Sequence, residues 1–334
     1  MRPAPMIARA FMLALAFCFA SHAGAQPVAP SPLRVITFDG GWNLGVWAAQ
    51  RQGFFEANGV SVQLTYTPNS GALVSGLFDG RYDIAMATID NFIAYQEGQG
   101  EAKLAGDPDF VVVMGGDGGF LSVVGGSGIK SIGDLKGKTL SVDAMTTGLA
   151  FVLRELVARG GVAESDVTYV RAGGTNLRYR DLVAGKHDAT LLRTPFEILA
   201  RERGLTVLAT AESLGAYQGT VTAVRRSWAL KNEAALVGFI RAYKAGVAFA
   251  YDPANREIVE ALLVANVRDL TPALAKRAYD LLLAGKGGIA KDAALDIEGI
   301  RTVLALRSKY AQPAKPLTDP SKYIDETYLR AAAR

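Results

Sequence analysis

The sequence predicts an α/β fold built from two similar units and a helical C-terminal region. Three observations lead there. Short apolar runs alternate with helical stretches from Leu33 to Val224. One Leu, Gly and Asp pattern recurs at an offset of 105 residues. No strand signal follows Ser227. Short apolar strands separated by helices make a mostly parallel sheet covered on both faces.

In the first unit, Leu33–Phe38 reads as a strand and Asn43–Asn58 as a helix, closed by Gly59 as a left-handed cap. Val60–Tyr66 alternates with period two and is a strand. Ser70–Asp79 is a helix stopped by Gly80, Ile84–Ala87 a buried strand, and Asp90–Glu97 a further helix. Phe110–Met114 and Phe120–Val124 are strands on either side of the Gly-rich stretch Gly115–Gly119.

A second unit starts near Gly125. Its strands are Thr139–Val142, Val167–Val170, Ala189–Leu192 and Thr206–Ala209. Its helices are Thr147–Arg159, Asn176–Ala184 and Pro195–Arg203. Thr220–Val224 then returns to the first unit, and helices follow over Ala229–Tyr251, Arg256–Val264, Pro272–Leu283, Leu295–Tyr310 and Tyr323–Ala332. The echo lies at Leu77, Gly80 and Asp83 against Leu182, Gly185 and Asp188. Each set reads as a helix ending at a positive-φ glycine, then an acid opening a buried strand.

The 334 residues are 50% hydrophobic and 20% charged, too apolar for a disordered chain and enough for about two domains. Lys+Arg number 36 against Asp+Glu 32, with no strongly basic domain, which argues against nucleic acid as a partner. Arg2 and Arg9, the apolar run Ala10–Ala20 and the small residues Ala23-Gly24-Ala25 read as a signal peptide (residues 1–25) cleaved after Ala25. That run is too short to span a bilayer, and no later one is long enough. Residues 26–32 form a flexible leader. Cleavage removes Cys18, the only cysteine, and His22. Lipidation at Cys18 is the alternative, opposed by the bulky Phe17. A mature chain without thiols has no disulfide, cysteine nucleophile or cysteine-based zinc site. Its one imidazole, His187, falls in a helix–Gly–strand turn and reads as a surface residue away from any cleft. This poverty of reactive groups favours binding over catalysis.

Gly53-Phe54-Phe55-Glu56-Ala57-Asn58-Gly59-Val60 resembles a segment of ABC-importer solute-binding proteins, in the branch for sulfonates, taurine and thiamine-precursor pyrimidines. Leu77–Ala85, Ile132–Lys138 and Asp181–Leu191 resemble further elements of that branch in the same order. The resemblance implies a two-lobe type II periplasmic binding fold with two crossover strands, a periplasmic location, and delivery of a small organic ligand to the transmembrane subunits of an ABC permease. Lobe 1 is expected over residues 33–124 and 221–334 and lobe 2 over 125–220, with a monomer as the unit and hinges at Val123–Gly126 and Val221–Arg225. Neither cofactor nor metal is expected.

Ligands of open α/β sheets sit at the carboxyl ends of strands, near helix N-termini with free N–H groups. Candidates at such positions are Trp42 and Asn43, Ser70 and Gly71, and Thr88, Asp90 and Asn91 in the first unit. Phe120 lies at the crossover, Thr146, Thr147 and Arg193 in the second unit, and Tyr217 before the return. Trp42 and Tyr217 offer aromatic walls, and Arg193 suits a carboxylate or sulfonate. Plainer readings stand beside these. Asn43, Asn69 or Ser70, and Asp90 are N-caps, Arg193 pairs with Asp90, Asp143 or Glu197, and Thr194, Pro195 and Glu197 form a capping box. The runs Arg171–Arg180 and Arg201–Arg203 read as solvated faces, and Phe239, Tyr243 and Phe249 as core.

The expected function is capture of a sulfonate or aromatic carboxylate, with an aminopyrimidine second, by closure of two lobes. A ligand-binding partner of a membrane sensor is one alternative. A pyrimidine-metabolising enzyme is a weaker one, because the enzyme of the resembled branch depends on a histidine and cysteines.

Overall fold

Strand β1 (Ser31–Thr37) pairs in parallel with β2 (Val60–Tyr66) on one side and β3 (Ile84–Thr88) on the other. Beyond β3 lies β10 (Thr220–Arg225), antiparallel to it, and then β4 (Phe110–Gly115). The first sheet therefore has the order β2-β1-β3-β10-β4. The structure is a computed structural model that describes Met1 and residues 30–285 and 287–334. The expected signal peptide, Cys18, His22 and most of the leader lie outside the described residues; Ser31 and Pro32, expected in the leader, already belong to β1.

The second sheet repeats the pattern. Strands β6 (Thr139–Val142), β7 (Thr168–Arg171), β8 (Ala189–Arg193) and β9 (Thr206–Thr210) stand in the order β7-β6-β8-β5-β9. Here β5 (Leu121–Gly125) is the antiparallel strand between β8 and β9. Each sheet thus receives its one antiparallel strand where the chain crosses to or from the other half. The strand expected to end the first unit is part of the second sheet, so the chain passes between sheets at residues 116–120 and returns at 215–219.

The recurring landmarks do equivalent work. Gly80 and Gly185 sit at φ 72° and 71°, where a side chain is strained. Asp83 accepts a hydrogen bond from the Arg34 N–H of β1 at 2.9 Å, and Asp188 accepts one from the Thr139 N–H of β6 at 2.8 Å. Each acid therefore ties the strand it precedes to that strand's parallel neighbour, β3 to β1 and β8 to β6.

Both faces of the sheets are covered. Every residue of β3, β4, β5 and β8 is buried, which is why these strands are mostly apolar, without a polar alternation. The expected helix Asn43–Asn58 is two pieces, α1 (Leu44–Arg51) and α2 (Phe54–Ala57), separated at Gly53 with φ 70°. Helices α3 (Ser70–Phe78) and α4 (Ile89–Gln96) complete the first half, and α5 (Gly148–Arg159), α6 (Thr175–Val183) and α7 (Phe196–Glu202) the second. After β10 the chain is helical: α8 (Arg226–Ala229), α9 (Glu233–Tyr251), α10 (Arg256–Asn266), α11 (Pro272–Leu282), α12 (Ile297–Tyr310) and α13 (Thr327–Ala331). Phe239 and Tyr243 are fully buried, and Phe249 packs partly buried against the same core.

His187 is not a surface residue. It is 5% exposed, and its ring nitrogen lies 2.9 Å from Ser141 Oγ. Burial lowers its pKa, so it serves as a neutral partner between strands. The expected capping box is also different: helix α7 begins at Phe196 with Pro195 in the cap position, and the Thr194 hydroxyl donates to Glu197 Oε1 at 2.7 Å. Among the described residues no helix is long and apolar enough to cross a membrane.

Candidate functional site

A cavity lies between the two sheets at the carboxyl ends of their strands. As it stands, its water-accessible volume is about 20 Å³. Phe38 and Trp42 come from the segment after β1, and Ala87, Thr88 and Asn91 from the end of β3 and the start of α4. The other wall is Asp143, Thr147 and Leu149 after β6, Gly174, Thr175 and Arg178 after β7, and Arg193 at the end of β8. The parallel strands aim their following loops at one place, as open α/β sheets do.

Three helices start at this cavity. Thr88, Thr147 and Gly174 are the cap residues of α4, α5 and α6, and none makes a side-chain cap hydrogen bond. Thr88 Oγ1 accepts instead from Asn91 Nδ2 at 3.0 Å, and the Thr147 hydroxyl donates to the Ala144 carbonyl at 3.0 Å. Part of the first turns is engaged elsewhere, the Ile89 N–H by the Gly219 carbonyl, the Ala150 N–H by the Thr147 carbonyl and the Leu177 N–H by Asn176 Oδ1; the positive ends of three helix dipoles still lie at the cavity wall.

Arg178 reinforces that field. It is 1% exposed, and its guanidinium donates only to neutral oxygens: Thr190 Oγ1, Thr175 Oγ1 and the carbonyls of Gly173 and Leu191. Burial lowers its pKa to about 10, against the pull of the nearby Asp143, so it stays cationic at neutral pH. Arg193 is held differently. Its Nη2 donates to Asp117 Oδ1 at 2.7 Å and to Thr220 Oγ1 at 3.1 Å, and its Nε to the Gly119 carbonyl at 2.8 Å. Its guanidinium carbon sits 4.1 Å over the Trp42 ring. Arg193 therefore pairs with Asp117, not with Asp90, Asp143 or Glu197.

The halves also touch around the cavity. The Ser70 N–H donates to Asp143 Oδ2 at 3.2 Å, the Gly174 N–H to the Pro68 carbonyl at 2.8 Å, and Asn176 Nδ2 to Asp39 Oδ2 at 3.2 Å. Arg171 pairs with Glu101 across the same seam.

Of the residues singled out in the sequence, Trp42, Thr88, Asn91, Thr147 and Arg193 line the cavity together. The others sit elsewhere. Asn43 holds the β1–α1 turn, donating to the Phe38 and Gly40 carbonyls and accepting from the Thr37 hydroxyl. Asn69, not Ser70, caps α3, through Ala72 N–H at 2.8 Å. Gly71 is no part of the wall, and Ser70 reaches it only through its N–H on Asp143. Asp90 is bound by Arg307, whose Nη2 also donates to the Thr146 carbonyl. Phe120 packs beside the core at φ 53°, and Tyr217 is buried at 4% exposure behind the crossovers.

The sequence reading overlooked Arg178, because the run Arg171–Arg180 looked solvated. A signal was there. Thr175, Arg178, Tyr179 and Leu182 are the buried positions of α6 and follow the helical spacing of an inward face. Among the described residues no group of three or more His, Cys, Asp and Glu side chains is placed to hold a metal ion.

The model of the NMT1/THI5-like family matches residues 43–256. No curated protein matches the sequence. Several solved structures share the fold. The alkanesulfonate-binding protein SsuA from Xanthomonas axonopodis pv. citri, bound to MOPS, aligns with a TM-score of 0.66 and 18% identity over 84% of this chain and 91% of that one. The periplasmic nitrate-binding protein NrtA from Synechocystis PCC 6803 aligns with a TM-score of 0.74 and 11% identity over 91% and 88%. The zinc-bound ligand-binding component of an ABC-type import system from Staphylococcus aureus gives 0.71 and 12% over 90% and 99%. With one exchanged strand in each sheet, these likenesses show the two-lobe type II periplasmic binding fold.

Proposed function

Because the chain belongs to the NMT1/THI5-like family and has the fold of ABC-import binding proteins, we propose that it is a periplasmic substrate-binding subunit that captures a small organic anion and hands it to a membrane permease. A sulfonate or an aromatic carboxylate is the favoured ligand. The carrying observation is the convergence of three uncapped helix N-termini and the buried Arg178 on one cavity. A buried guanidinium without a contacting carboxylate calls for an anion. Phe38, Trp42 and Leu149 give the apolar walls that an organic body needs.

In this reading no bond is made or broken. Ligand binds the closed state better than the open one and shifts the population toward it. The lobes follow the sheets, and they hinge at residues 116–120 and 215–219, where the chain passes between them. Asp117 and Arg193 lash these two passages together and to the Trp42 wall. The Ser70, Gly174 and Asn176 contacts form only when the lobes meet, so they belong to the closed state.

An aminopyrimidine is the second reading, favoured by the Asp143 oxygen that has no donor. A thermal-shift screen of sulfonates, carboxylates and pyrimidines separates the two. Saturable stabilisation by an anion, lost in Trp42→Ala and Thr147→Ala, is the expected result. Equal stabilisation of both variants contradicts the placement of the site.

A further inference from the structure

The anion-seeking cavity contains a carboxyl group. Asp143 is 8% exposed and lines the wall. Its Oδ2 accepts the Ser70 N–H, while its Oδ1 is buried with no hydrogen-bond partner. An orphaned buried acceptor is costly, because its lost hydration is not replaced. An ionised carboxylate beside an arriving anion adds like-charge repulsion where the dielectric is low. A proton on Oδ1 removes both penalties, because it turns the orphaned acceptor into a donor on a residue of the cavity wall.

The groups facing Asp143 are few. Arg178 approaches from α6, Tyr95 from α4, Glu101 from the segment after α4, and the Ser70 N–H from the start of α3. Burial pushes the Asp143 carboxyl up; Arg178 and Ser70 pull it back, and Glu101 adds to the rise. Arg193, on the same wall, is already engaged by Asp117.

Resting on the anion reading above, we propose that Asp143 is a neutral carboxylic acid in the filled cavity and that its Oδ1–H donates a hydrogen bond to the ligand anion. Capture is then coupled to a proton taken from solvent whenever the empty site is ionised. Selectivity follows as well. The cavity prefers an anion with a free acceptor oxygen and disfavours a ring N–H donor, for which Asp143 offers no ionised acceptor.

Calorimetric titration with ethanesulfonate and with benzoate, from pH 6 to 9, tests this on the full exported chain. Neither probe carries a donor, and both stay ionised over that range. Wild-type affinity is expected to fall with rising pH, approaching about tenfold per pH unit once the empty site ionises. Asp143→Asn supplies a permanent N–H donor; it is expected to hold the wild-type affinity of pH 6 within about threefold and to show no pH slope. Asp143→Leu is expected to lose about tenfold at pH 6. The infrared difference spectrum between the filled wild type and filled Asp143→Asn gives a direct readout: a protonated-carboxyl band is expected in it, the band of the buried Glu197 cancelling because both proteins carry it. Absence of that difference band overturns the proposal, as does an aminopyrimidine that binds wild type and not Asp143→Asn. If neither anion binds, the anion reading itself fails; if they bind with Asp143 ionised, only the proton assignment fails.

Discussion

Arg307 and Asp90 stand 217 residues apart in sequence and join through two charge-assisted hydrogen bonds of 2.6 Å in the interior. Both side chains are almost fully buried, at 0% and 1% exposure. Arg307 also donates to Gln99 Oε1 and the Thr146 carbonyl, so helix α12 is fixed to α4 and reaches the start of α5. Removing one member leaves the other charged, buried and unpaired. Arg307→Ala and Asp90→Ala are each expected to lower the unfolding free energy by about 3–5 kcal/mol, read from urea denaturation. A loss under 1 kcal/mol contradicts the pairing.

The alternation of strands and helices, the two-unit repeat and the helical tail were legible in the sequence because each rests on local chemistry. Gly80 and Gly185 cap helices, and Asp83 and Asp188 then bond to the parallel neighbours, β1 and β6, of the strands they precede. The partners of the charged residues were not legible. Asp90 looked like a helix cap facing a ligand, and nothing near it in sequence points to Arg307. Arg193 was correctly placed at a strand end, yet Asp117 lies 76 residues away on the crossover. Arg178 was misjudged because a polar residue in a polar stretch reads as solvated unless its helical face is counted; His187 lies in a turn, where no periodicity marks its burial beside Ser141.

The Arg193–Asp117 pair carries a second prediction. Arg193 bonds Gly119, Asp117 and Thr220 while lying on Trp42. A lysine keeps the charge but not the planar fork that serves these partners at once. Arg193→Lys is expected to cost about 1–3 kcal/mol of stability and to weaken ligand binding, as measured by urea melts and titration. Unchanged affinity in this variant contradicts a link between the crossover and the cavity wall.

Gly148 opens α5 directly against Asp90 of the other half. A Cβ there would lie 2.5 Å from Asp90 Cβ and Cγ, and Asp90 is pinned by Arg307. Gly148→Ala is therefore expected to hold the lobes apart. Ligand affinity drops by about tenfold or more, and solution scattering with ligand shows a larger radius of gyration than wild type. Wild-type affinity and compaction in Gly148→Ala contradict closure through this contact.

Glu197 predicts a pH dependence of stability. Burial raises its carboxyl to about 7, well above the ordinary glutamate value, opposed by the Thr194 hydroxyl. In the unfolded chain it ionises near the ordinary glutamate value, while the folded state keeps the proton up to about 7. Its favourable contribution is whole below pH 4.5, declines between 4.5 and 7, and is gone above that. The shift corresponds to roughly 3 kcal/mol. Glu197→Gln is expected to remove this decline, so the variant gains on wild type as pH rises from 5 to 8. Parallel stability profiles contradict the buried neutral acid.

Native mass spectrometry of the purified chain, incubated with ethanesulfonate and benzoate, addresses capture without chemistry most directly. The expected result is one intact anion per chain, of unchanged mass, retained by wild type and lost from Trp42→Ala. A bound or released product of altered mass, or equal retention by the variant, contradicts it.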